Sequence, residues 1–224
     1  MTFPAAFLFD MDGLLLDTER LFQRSFLAMT DDLGIPRGKS EAFFLSLVGT
    51  SSRDTSQRLP LFLPDGVSAI EFEAEWRLRH DQNVAAGVPL RPHALEVLQT
   101  LKSGGARIAV VTSTNGRPAR AHLDHAGLLG FFEHIKAGDE VSANKPDPAP
   151  YREAAADLGV DPRDCVAFED SDAGTQAAAR AGCKTYQIPD LRPVNKPLPE
   201  VGQKVAPTLR HALQDLGLVA REAV

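Results

Sequence analysis

Five short strand-like runs, each too brief for a helix, constrain this chain more than any other feature. They are FPAAFLFD (3 to 10), RIAVVT (107 to 112), HIKAG (134 to 138), CVAFED (165 to 170) and KTYQIP (184 to 189). Largely continuous apolar runs of this length suit strands buried on both faces, the property of parallel sheets. Helical patterns fill the gaps. Ala94, Val97, Leu98 and Leu101 share an i, i+3, i+4, i+7 face, as do Tyr151, Ala154, Ala155 and Leu158. Gly104-Gly105, Gly127, Gly159 and Gly182 stand where helices stop. Pro118 suits the first turn of another helix, with Asn115 or a neighbouring hydroxyl as its cap. Strands alternating with helices imply βαβ units with right-handed crossovers, hence an α/β, Rossmann-like, doubly wound parallel sheet.

Residues 17 to 85 break this rhythm, because they are far longer than one crossover helix. Candidate helices at 21 to 29, 40 to 48, 53 to 59 and 70 to 83 make this stretch an inserted α-helical cap domain. The core domain is then 1–16 and 86–224, with hinges near 14 to 18 and 83 to 90. A length of 224 residues, roughly one and a half domains, agrees with a core plus an insertion. Pro189, Pro193, Pro197 and Pro199 describe an extended loop, and a last helix at about 207 to 216 packs back on the core.

Charge narrows the partners. Twenty-four basic against thirty acidic residues give −6, which excludes a basic field for a nucleic-acid backbone and favours a small-molecule partner. No apolar stretch reaches the roughly 18 residues of a membrane helix, and no signal layout opens the chain, so a cytoplasmic protein is expected; nothing in the sequence resembles an interface seam, and a monomer is the default expectation. Cys165 and Cys183 are too few for a disulfide framework or a zinc site and read as small buried hydrophobes.

Ligands of a doubly wound sheet bind beyond the carboxyl ends of its strands. At that edge lie Asp10 and Asp12 after the first run, Thr112 and Ser113 after the second, and Glu169 and Asp170 at the end of the fourth. Clustered carboxylates repel and persist together mainly around a cation. Hard oxygen ligands without Cys or His point to Mg²⁺, which in turn favours phosphate. Thr112, Ser113 and Lys145 offer the donors and positive charge that phosphoryl oxygens need. Pro146 and Pro148 stiffen the loop of Lys145. One carboxylate can attack phosphorus to form an aspartyl phosphate while a second protonates the leaving oxygen and later deprotonates water. Asp10 and Asp12 share a face of an extended strand and, given a turn at Gly13, address opposite sides of one phosphoryl group.

These residues carry a resemblance. Asp10-Met11-Asp12-Gly13 with Asp17-Thr18-Glu19, Val111-Thr112-Ser113, Lys145-Pro146-Asp147-Pro148, and Phe168-Glu169-Asp170-Ser171 with Gly174 resemble, in order, the four motifs of the haloacid dehalogenase (HAD) superfamily. The similarity covers essentially the whole chain and lies with the β-phosphoglucomutase-like, helical-cap branch. It implies Asp10 as nucleophile and Asp12 as general acid/base. It implies Mg²⁺ on the Asp10 carboxylate, the Asp12 backbone carbonyl and Asp170, with Glu169 supporting the metal directly or through water. Thr112 and Lys145 would hold phosphoryl oxygens, Lys145 also pairing with Asp10, in a sheet ordered 5-4-1-2-3.

Departures from the family bear on the substrate. The mutase members carry a His where this chain has Arg20-Leu21-Phe22, and an Arg that aligns nearer Ser52, with Arg53 adjacent. Phosphonate-cleaving relatives need a cap Lys, and residues 17 to 85 contain only Lys39; dehalogenases lack the second Asp. The expectation is a Mg²⁺-dependent phosphatase acting on a small phosphate monoester such as a sugar phosphate. Its rivals are a phosphomutase and a non-catalytic phosphoryl-binding module. Ser113, Asn115 and Arg53 are further candidates for substrate contact, Asn115 equally a helix cap and Arg53 equally a solvated helix-start residue. Trp76 and Phe72 read as cap core rather than a stacking site. His122 and His125 read as helix surface.

Overall fold

The computed structural model of the chain describes residues 4–48, 52–192 and 195–220. These fall into two compact units, one formed by the described residues of Met1–Asp17, Pro89–Asp190 and Leu198–Val224, the other by those of Thr18–Val88 and Leu191–Pro197.

The first unit is built on a parallel sheet of β1 (Ala6–Phe9), β2 (Ile108–Val111), β3 (His134–Lys136), β4 (Cys165–Glu169), β5 (Lys184–Gln187) and β6 (Lys204–Val205). The order is β3-β2-β1-β4-β5-β6. The five predicted runs are β1 to β5 in the expected order, and β6 extends the sheet past β5. Its two residues are exposed and too few to show any period, so the sequence carries no sign of it. Every residue of β1, β2 and β4 is buried, as a continuously apolar central strand must be.

Helices α5 (Ala94–Ser103), α6 (Gly116–His125), α7 (Ala149–Asp157), α8 (Asp172–Ala181) and α9 (Leu209–Asp215) belong to this unit. Side-chain alternation divides the strands into two unlike faces. Ala6, Leu8, Ala109, Val111, Cys165 and Ala167 pack with Tyr151, Ala154 and Ala155 of α7 and Ala177, Ala178 and Ala181 of α8. The opposite face is aromatic, with the Phe9 and Phe168 rings stacked 4.7 Å apart and Phe168 reaching Tyr186 at 5.8 Å.

One helix start differs from local expectation and another follows it. Asn115 precedes α6 without a side-chain cap bond; the Gly116 N–H donates instead to Asp139 Oδ1 at 2.7 Å, from the loop after β3. Ser171 caps α8, its hydroxyl accepting from the Gly174 N–H at 3.0 Å.

The second unit contains α1 (Thr18–Asp32), α2 (Arg37–Leu47), α3 (Ser52–Arg58), a 3-10 turn at Leu59–Leu61 and α4 (Ala69–Ala86). Phe26 of α1 is its centre: the rings of Phe43, Phe44, Phe62, Phe72 and Trp76 lie 4.8 to 6.0 Å from it. Such pairs add about 0.5–1.5 kcal/mol each beyond their buried area. The Trp76 indole N–H donates to the Phe22 carbonyl at 2.9 Å, which satisfies its one polar group. Phe72 and Trp76 are therefore buried core. Leu191 packs against the same cluster, and Leu191–Pro197 groups with this unit, whereas the sequence reading places it within the core domain 86–224. Among the described residues no helix is long and apolar enough to cross a membrane.

Cys165 and Cys183 are free thiols on the small-residue face of the sheet. Burial pushes Cys165 up to about 11 and Cys183 up to about 12, so neither yields thiolate near neutral pH. The folded protein is expected to leave a chromogenic disulfide reagent unreacted at pH 8 and to release two thiols per chain only in guanidinium. Rapid labelling of either thiol in the native state would contradict this packing.

Candidate active site

The strand order reverses at β1, with β2 and β3 on one side and β4 and β5 on the other. A crevice at the carboxyl ends of β1 and its neighbours follows from that reversal. Phe9 is paired with Phe168, and the Asp10 N–H donates to the Phe168 carbonyl at 3.0 Å, so Asp10 and Glu169 leave the sheet side by side. Thr112 leaves β2 on the other flank, its N–H on the Lys136 carbonyl at 3.0 Å. Asp10, Glu169 and Asp170 each offer a carboxylate oxygen within 4.8 Å of the others.

After Asp10 the chain turns tightly. Met11 O accepts from the N–H groups of both Leu15 and Leu16, and the Gly13 N–H donates to Leu16 O at 2.8 Å. Gly13 has φ +82°, and a Cβ there would overlap the Asp170 carboxylate. Glycine is thus required twice, by conformation and by space.

Lys145 fills the gap between the two buried acids. Its ammonium lies 2.5 Å from Asp10 Oδ1, 2.6 Å from Glu169 Oε1 and 2.8 Å from the Val111 carbonyl. Three acceptors match its three protons, so a phosphoryl oxygen would have to replace one of them. Glu169 is wholly buried and its oxygens are engaged by protein: Tyr151 donates to Oε1 at 2.6 Å and Ser171 to Oε2 at 3.1 Å. A Cβ at Gly174 would overlap this carboxylate, which makes glycine in the first turn of α8 a condition of its placement. Asp12 is held by hydroxyls, Thr114 donating to its Oδ2 at 2.7 Å and Thr112 to the same oxygen at 3.3 Å. The Thr114 N–H donates in turn to the Thr112 hydroxyl at 3.0 Å.

The electrostatics follow from burial and from an excess of acids. Burial above all, then the negative charges of Glu169 and Asp12, holds the Asp10 carboxyl well above the usual range against the pull of Lys145. Burial alone would push the Lys145 ammonium down, but Asp10 and Glu169 outweigh it and the lysine stays protonated. Burial, then Glu169 and Asp10, raises the Tyr151 phenol, which stays a donor. Asp10 and Glu169 share the Lys145 ammonium with Asp170 close beside them, a concentration of carboxylates that favours a further cation.

The structure brings together Asp10, Asp12, Thr112, Lys145, Glu169 and Asp170. It does not add Ser113 or Asn115 to their hydrogen-bonded cluster; both side chains are exposed. Arg53 lies exposed on α3 of the helical unit. Two participants escape the sequence reading. Thr114 stands two residues beyond Thr112, the same spacing that singles out Asp10 and Asp12, and that alternation is the signal for it. Tyr151 lies on an apolar helix face and gives no local sign that its hydroxyl meets Glu169.

A family model described as haloacid dehalogenase-like hydrolase matches residues 7–188. The chain is 32% identical over 196 residues to protein CbbY of Rhodobacter capsulatus, covering 82% of this chain and 85% of that protein. It is 31% identical over 177 residues to the phosphorylated carbohydrates phosphatase of Thermotoga maritima, covering 79% and 81%. A HAD family hydrolase from Deinococcus radiodurans, solved with bound phosphate and sodium, superposes with a TM-score of 0.77 at 26% identity, over 96% of this chain and 97% of that one. With its four motifs in order on a matching fold, the chain belongs to the haloacid dehalogenase-like hydrolases.

Proposed function

We propose that the protein is a Mg²⁺-dependent phosphatase that hydrolyses a small phosphate monoester, a sugar phosphate in the first instance, through an aspartyl phosphate on Asp10. The observation that carries this reading is the Lys145 ammonium shared between buried Asp10 and Glu169, next to Asp170. The donor set fits Mg²⁺: all three side chains are hard oxygen donors. Asp10 and Asp170, with the Asp12 backbone carbonyl, would hold the ion. Glu169, its oxygens already engaged by Tyr151, Ser171 and Lys145, supports it indirectly. When bound, the ion supplies charge that keeps Asp10 ionised and polarises the phosphoryl group.

The chain's own residues then divide the work. Asp10 attacks phosphorus. Asp12 gives a proton to the departing ester oxygen, then takes one from the water that cleaves the aspartyl phosphate. Thr112 and Thr114 orient the Asp12 carboxyl, and Lys145 neutralises charge at Asp10. Ser113 and Asn115, exposed beside Thr112, and Arg53 of the helical unit are the further candidates for substrate contact. The name of the Thermotoga relative supports a phosphorylated carbohydrate as substrate. Hydrolysis is favoured over phosphomutase because Phe22, in the stretch where mutases keep a His, stacks on Trp76 at 4.0 Å and has no proton to shuttle.

Phosphate release from a panel of phosphate esters, with Mg²⁺ and with a chelator, tests this reading. Release is expected only with the ion, and Asp10→Asn is expected to abolish it while ester binding stays measurable by calorimetry. Turnover surviving in Asp10→Asn, or isomerised sugar phosphate in place of free phosphate, would overturn it. Asp12→Asn is expected to lower kcat by roughly 10²–10⁴-fold, the usual worth of a general acid/base. Lys145→Met is expected to cost about 3–5 kcal/mol in urea unfolding, because it leaves buried Asp10 and Glu169 without their cation.

A further inference from the structure

Arg91 stands just after the chain re-enters the core unit, and its side chain meets the core-side ends of two other crossings. The first segment of that unit ends at Asp17; the second begins at Pro89 and ends at Asp190. Arg91 Nη2 lies 2.8 Å from Asp190 Oδ1, and its Nη1 lies 3.6 Å from Asp17 Oδ1. The Asp190 side chain is 1% exposed, so its carboxylate needs a cation beside it. Backbone bonds bind the same place: the Asp17 N–H donates to Pro89 O and the Arg91 N–H to Leu15 O, both at 2.9 Å, around a Leu16–Leu90 bridge. Leu15 and Leu16 in turn donate to Met11 O, so the tied segment runs directly into the loop that carries Asp12. A guanidinium can address two carboxylates with one rigid fork, whereas an ammonium is a point charge on a flexible stem.

We propose that Arg91 is a positioning residue for the hydrolysis: it pins the core-side ends of three of the four chain crossings to one another, and so fixes how the Asp12 loop lies. All three members of the pin belong to the core unit. The kinetic arm of the test rests on the phosphatase reading above; the proteolytic arm does not.

The informative variant is Arg91→Gln/Asp190→Asn, which removes both members of the closest charge pair in the pin. Arg91→Lys retains the charge without the fork. Three quantities are compared with the native chain: thermal midpoint, thermolysin cleavage within residues 87–90 read by mass spectrometry, and kcat and KM for p-nitrophenyl phosphate with Mg²⁺. The double variant is expected to melt near the native temperature, to be cut faster, and to show a KM raised by about tenfold, with Arg91→Lys between the two. Purely structural damage would lower kcat with the folded fraction and leave KM alone. An unchanged KM in the folded double variant overturns the proposal, whatever the cutting rate. If the native chain releases no phosphate from any ester, the phosphatase reading fails, and cutting at the native rate then overturns the pin.

Discussion

One ammonium group lets this site exist. Asp10 and Glu169 are both withdrawn from water, and two carboxylates so placed would repel each other and pull in solvent or protons. Lys145 stands between them with each of its protons on an acceptor. The rest of the core unit serves that arrangement. The adjacency of β1 and β4 delivers the acids as neighbours, Tyr151 from α7 and Ser171 at the start of α8 hold the Glu169 oxygens, and Gly174 leaves the space that its carboxylate occupies.

Asp12 is held by different means. Its partners are hydroxyl groups of Thr112 and Thr114, with no ammonium among its hydrogen bonds. In the mechanism proposed above Asp12 is the proton carrier, and a neutral hydroxyl suits that role because it can donate or accept. A permanent cation would bias it toward the ionised form. The two acids of the first motif are thus separated chemically by the company each keeps, although only Met11 lies between them.

The strand runs and their carboxyl-end acids were legible because they are local: an apolar run ending in Asp or Glu announces a buried strand and a polar rim within eight residues. The order of the sheet came from the resemblance, and the reversal at β1 explains why the motifs converge. What stayed hidden depends on partners distant in sequence. Asp139 caps α6 from another loop, Tyr151 meets Glu169 across eighteen residues, and Leu191 leaves the core unit to join Phe26 and Trp76. No period or local motif records such meetings. Thr114 is the exception, since its alternation with Thr112 was visible.

The return of Leu191–Pro197 to the helical unit bears on how this protein can be taken apart. An insertion that leaves and re-enters once can be excised or exchanged as a cassette by cutting at two points. Here the helical unit draws on two separate stretches of chain, joined to the core unit through four covalent crossings. Excising Thr18–Val88 alone would leave Leu191 without the aromatic cluster it packs against, and a unit transplanted from a relative would meet a segment shaped for another surface. An exchange of the helical unit in this chain therefore has to carry both stretches together.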